Sequence, residues 1–143
     1  RGDFTPDDVL GPGVALAAAV VIVVALALLG STVLSATANG IAVFMVFGAG
    51  LAAGLMGQIG EALNSSTLED IASIAAWVLP FEAMYQQALF LLTDSTQNFE
   101  RVIVQLGPFG GARDGGALLW PWAAAYLVMV AAATTWRFRR MDL

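Results

Sequence analysis

The sequence predicts an all-α integral membrane protein, and three observations predict it. Of 143 residues, 59% are hydrophobic and 12% charged, against about 45–50% and a quarter in soluble domains; the mean hydropathy is +0.79. The apolar residues are gathered into blocks, the longest running 52 residues from Val9 to Gly60 without a charge. A later block is bracketed by aromatic rings and closed by Arg137, Arg139 and Arg140, the pattern of a helix ending at a membrane surface.

As one helix the first block would be about 78 Å long, against a hydrocarbon core of about 30 Å. It must fold back once, and Ser35–Gly40 is the polar cluster where it does so, with Asn39-Gly40 as the turn signal. The first span is expected over about 13–34 and the second, a short one, over about 41–57. The third is expected over 117–136. Trp120, Trp122 and Tyr126 lie near one end of it and Trp136 near the other, and Pro121 sits in a first turn where its missing N–H costs nothing. The arginine tail at 137–143 sets the topology, because basic residues beside a span favour the cytoplasm. The Ser35–Gly40 loop is then cytoplasmic too, and residues 1–12 and 58–116 lie outside.

Residues 68–92 are apolar enough to be taken for a fourth span, but Pro80 and Glu82 stand at their centre. A carboxylate at bilayer depth costs about 2.5–3.5 kcal/mol even on a lenient scale. An extracytoplasmic hairpin of two amphipathic helices, re-entrant or interfacial, fits better. Ser66-x-x-Glu69 opens the first as a capping box, with Leu68, Ile71, Ala75 and Val78 on one face. Pro80 opens the second, with Phe81, Tyr85, Leu89 and Leu92 on one face. A further amphipathic helix is expected over 96–106, then a Gly-rich loop over 107–116. The chain opens at Arg1 rather than Met and shows no cleavable signal, so it reads as a piece of a longer protein.

Composition removes several functions. Six basic residues against eleven acidic ones, a net charge of −5, leave no basic stripe for nucleic acid. With no Cys and no His, thiolate sites, most zinc and haem chemistry and His-based proton transfer are lost. No Gly-Lys-Ser/Thr follows a strand, so the Gly-rich loop is not a P-loop. Arg1-Gly2-Asp3 is an adhesion tripeptide in spelling only, and Asn64-Ser65-Ser66 matters only where a secretory pathway glycosylates. Glu69 and Asp70 are adjacent on a helix, so they do not face one another and instead favour its N-terminus. No catalytic, cofactor or metal site is expected on this chain.

Two groups of residues stand out. Ala49, Gly50, Ala53, Gly54 and Gly57 form a small-residue face on the second span, where helix backbones can approach closely; the alternative is simple tolerance of Gly and Ala in an Ala-rich chain. Asn39, Gln58, Glu61 and Glu82 are polar groups that either line a path or cap helix ends in contact with water.

Several stretches, in order, resemble the C-terminal half of a type-2, exporter-class ABC permease. Leu29-Gly30-Ser31-Thr32-Val33-Leu34-Ser35 with Ala38-Asn39-Gly40 is similar to that family's junction between helices four and five. Leu79-Pro80-Phe81-Glu82-Ala83-Met84-Tyr85-Gln86-Gln87-Ala88 resembles its outer helical segment. Leu119-Trp120-Pro121-Trp122-Ala123-Ala124-Ala125-Tyr126 resembles the start of its last helix, and Trp136-Arg137-Phe138-Arg139-Arg140-Met141-Asp142-Leu143 its ending. The resemblance implies a non-enzymatic translocation subunit in a prokaryotic plasma membrane, paired with a second permease half and a separate ATP-binding cassette ATPase subunit. Helices one to three and the main ATPase-contacting loop would lie upstream of Arg1. A membrane scaffold that binds a partner through its outer helices is the alternative; an intramembrane enzyme ranks last.

Overall fold

The turn between the first two spans shows how little of a helical hairpin must be loop. In the computed structural model, which describes residues 7–94 and 114–140, α1 (Asp7–Ser31) and α2 (Ala36–Leu63) are separated by only four residues. Backbone N–H groups of Thr32, Val33 and Leu34 fold onto the carbonyls of Leu29 and Gly30, and the Ser35 hydroxyl accepts the Ala38 N–H as the N-cap of α2. The expected Asn39-Gly40 turn is therefore corrected. Both residues lie in the first turns of α2, because Ser35 already supplies the cap and the Asn39 amide reaches back across the junction to the Ala27 carbonyl at 2.9 Å.

Other bounds shift as well, α1 ending at Ser31 and the third span starting at Leu119, a little inside the expected 34 and 117. α1 begins at Asp7, so much of the expected outer segment at 1–12 is helical, with Pro12 inside it. α2 runs 28 residues, not the short 41–57. Its glycines do not end it, since lipid-embedded backbone has no water to bond and stays helical. It ends at Asn64, whose φ of 50° is the left-handed cap. After α2 come α3 (Ser66–Val78), α4 (Pro80–Asp94) and α5 (Leu119–Arg139). The described residues are all helix and connections, with no strand, and α1 (from Leu10), α2 and α5 are each long and apolar enough to cross a membrane. The helix expected at 96–106, most of the Gly-rich loop, and Arg1-Gly2-Asp3 lie outside the described residues.

α3 and α4 are about 20 and 22 Å long, each shorter than the hydrocarbon core. α3 turns back along α2, with Leu68 and Glu69 beside Gly60. It stops at Leu79, and α4 returns along α1, with Phe81 beside Gly50 and Leu91 beside Gly11. Residues 71–92 thus form a hairpin, not a fourth span. It is seated among the spans with its Pro80 tip beside the middle of α2. The core is built around it: Ala15, Ala19 and Ile22 of α1, Phe81, Met84 and Ala88 of α4, and Leu119 and Ala123 of α5. α5 is tied to the tip, where the Trp122 indole donates to the Trp77 carbonyl at 3.0 Å and the two rings meet edge-on at 5.4 Å.

Three sequence readings of the hairpin are corrected here. The cap of α3 is Ser65, not Ser66, and it makes no side-chain cap bond. Its inward residue is Ala72, while Ile71 and Val78 of the expected face are exposed. On α4 the buried line is Phe81, Met84 and Ala88, and Leu92 is exposed. On α3 the small Ala72 faces inward where backbones approach closely, whereas on α4 the large Phe81 and Met84 turn inward to fill the core beside the glycines of α2 and the small residues of α1.

Candidate functional site

The crossing of α2 with the hairpin brings together the small-residue face and the hairpin's acid. Gly50, Ala53, Gly54 and Gly57 are buried, and Gly60 continues their line. Ala49 is exposed, so it lies off this face and Gly60 takes its place on it. At Gly50, Gly54 and Gly60 the neighbouring helices leave no free space for a Cβ. A Cβ at Gly50 would enter the Phe81 ring, one at Gly54 would strike the Glu82 carboxyl and the Gln86 amide, and one at Gly60 would press on the α3 backbone at Glu69. The partner of this face is the hairpin of the same chain.

Glu82 is only 8% exposed, and the Gln86 side-chain amide, one turn on, donates to its Oε1 at 3.2 Å. Burying a carboxylate without a partner is costly, and Gln86 meets part of that need. Gln87 is 7% exposed and faces the other way, its Oε1 accepting the Gly115 N–H at 2.6 Å. That bond draws residues 114–116 over the crossing. The loop is shaped locally by the Asp114 carboxylate accepting the Gly116 N–H at 2.9 Å, with Gly116 at φ 69°. Together these groups enclose a cavity of about 180 Å³ lined by Gly50, Gly54, Ser73, Glu82, Gln86 and Asp114, among others.

Two apolar cavities adjoin the Phe47–Phe81 pair, whose rings stack with centroids 5.9 Å apart. One, about 570 Å³, lies between α1, α2 and α4 and includes Glu82 in its wall. The other, about 350 Å³, lies toward the α1–α2 turn and includes Asn39. The Asn39 Oδ1 is buried without a hydrogen-bond partner among the described residues, and Gly30 is the only residue type that clears it.

The remaining expected residues are scattered. Gln58 is half-buried and Glu61 exposed near the end of α2, well removed from Asn39 at its start. Arg137, Arg139 and Arg140 close α5, and Arg140 lies 4.0 Å over the Trp136 ring, an arrangement suited to a surface anchor. Sequence reasoning missed Gln86, Phe47 and Gly60. Gln86 could have been found from its i,i+4 spacing to Glu82; the Phe47–Phe81 contact had no local signal. Among the described residues there is no group of three potential metal ligands. No protein-family model matches the chain, and neither the characterised proteins nor the solved structures with which it was compared include one that matches.

Proposed function

We propose that this chain is the membrane-spanning part of an ATP-driven ABC exporter, forming a translocation path with a second permease half and driven by a separate ATPase subunit. One observation carries the reading: a short helical hairpin, seated among the spans on a track of glycines. It joins the ordered motifs by which the sequence resembles that family. A crossing of Gly and Ala against a hairpin lets backbones approach closely without large side chains interlocking, which suits an element that must shift between two states. An ATPase shifts such a balance only through contacts that differ between the two states. In this reading the arginine tail faces the cytoplasm and the hairpin the outside.

The test uses the full-length protein in proteoliposomes with the ATPase encoded beside it. ATP-dependent export is expected, and Gly54→Leu, which pushes on Glu82 and Gln86, should abolish most of it while membrane insertion persists. Unchanged transport in that variant would overturn the role of the crossing. A neighbouring reading frame without a Walker motif, together with no ATP-driven export, would overturn the exporter. Orientation is checked by a Cys at Asp70, expected to react with an impermeant reagent from outside.

The scaffold reading is favoured by a different observation: α3 exposes Ile71, Ile74, Trp77 and Val78. Lipid contact accounts for the same exposure, so the exporter stands first.

A further inference from the structure

Glu82 stands where two cavities meet, one of mixed lining and one almost wholly apolar. On one side is the small chamber under Asp114, whose polar lining is Ser73, Glu82, Gln86 and Asp114. On the other is the 570 Å³ groove, walled by Val20, Val24, Phe47, Leu51 and Phe81, in which Glu82 is the sole charged residue among the described residues. No basic residue lines either cavity among them. Among the described residues the side-chain hydrogen bond to Glu82 comes from a neutral amide, and the residue is nine-tenths buried without a countercharge from the described lining.

We propose that Glu82 is the recognition point for the protonated amine of an amphipathic cation, whose apolar body lies in the groove between α1, α2 and α4. The chemistry on each side sets the shape of the molecule. The chamber, at about 180 Å³, has room for an ammonium group and a short substituent, and it offers acceptors from Glu82, Asp114, Ser73 and Gln86. The groove offers hydrocarbon and the rings of Phe47, Phe81 and Tyr85, and it accepts a body of one or two rings. A neutral or anionic apolar molecule of the same shape offers Glu82 no positive charge to pair with, and the missing charge-assisted contact is the source of discrimination. The proposal rests on the exporter reading in one respect, that the bound molecule is cargo; the binding itself does not require it.

The test titrates the full-length protein in lipid nanodiscs with 1-naphthylmethylamine, a cation at neutral pH, and with its neutral isostere 1-naphthylmethanol. Naphthalene fluorescence is followed and the signal from empty nanodiscs subtracted. Glu82→Gln keeps the side chain's size and should weaken the amine roughly tenfold, the scale of one charge-assisted hydrogen bond, while changing the alcohol less than about twofold. Glu82→Asp keeps the charge and should recover part of the amine affinity. Val20→Trp, at a groove position 61% exposed and so tolerant of a larger side chain, should weaken both ligands. Equal losses for amine and alcohol in Glu82→Gln, or no loss in either, would overturn the proposal, as would unchanged amine binding in Val20→Trp. The two readings fail separately. ATP-driven export of another cargo without amine binding at Glu82 removes only this proposal, and amine binding at Glu82 without ATP-driven export removes only the exporter.

Discussion

On the hairpin side of Phe81, α2 meets protein at Gly50, Gly54 and Gly60, with side chains or backbone of α3 and α4 filling the space above each glycine. On the other side it meets α1 across a 350 Å³ cavity, held by the Asn39 amide on the Ala27 carbonyl and by Gly30 making room for it. The same helix thus meets α3 and α4 directly at its glycines over one half of its length and is loosely paired with α1 over the other. What differs is the presence of a third partner. Two apolar helices in lipid gain little by burying large side chains against each other. The half with the hairpin gains contact because glycine lets a third layer in, and the half without it keeps its large residues, such as Phe44 and Met45, facing outward.

The contrast can be broken most sharply at Gly50. Gly50→Leu drives a side chain into the Phe81 ring and should cost about 3 kcal/mol of unfolding stability in detergent. Gly48→Leu, two residues away where an added Cβ meets nothing, should stay within about 0.5 kcal/mol of the parent. Equal effects at the two positions would mean that the glycine track does not bear on packing. Phe81→Ala tests the hairpin's side of the same contact. The cavity term should cost about 2 kcal/mol, below the usual 3–5 in a water-soluble core because lipid removes most of the transfer term. Thermal unfolding followed by the fluorescence of Trp77 and Trp122 would report it, since that pair sits at the hairpin tip.

The loosely paired half should respond least. Asn39→Leu matches the volume of the amide but removes its bond to Ala27, and about 0.6 kcal/mol is expected, the average for a hydrogen bond between membrane helices. A loss as large as that at Gly50 would make the α1–α2 junction, not the hairpin crossing, the stronger anchor.

Much of this arrangement was legible in the residue pattern. The charge-free block from Val9 to Gly60 dictated two crossings, and Pro80 with Glu82 marked a hairpin in place of a fourth span. Gly50, Ala53, Gly54 and Gly57 were visible as a close-approach face. Their partner was not, because small-xxx-small spacing states that something comes near without stating what. The facing of α3 and α4 was misread for a related reason. Ile71, Val78 and Leu92 are apolar and yet exposed, so hydrophobicity alone did not mark the inward face. Asn39-Gly40 was misread as the turn because the local signal is the same whether an Asn bonds its own backbone or, as here, a neighbouring helix.

The sequence by itself determined that the chain is helical, that three segments are long and apolar enough to cross a membrane, and that a proline-broken pair of short helices lies between the second and third. Those follow from solvation, since a backbone in hydrocarbon must bond to itself and a span must match the thickness of the layer. Only the tertiary structure decided that the pair is inserted among the spans, that its Glu82 rests over Gly54, and that Glu82 lines both a small chamber of mixed polarity and an apolar groove. Those depend on contacts between residues tens of positions apart, where shape selects the partner and local pattern carries no record of it.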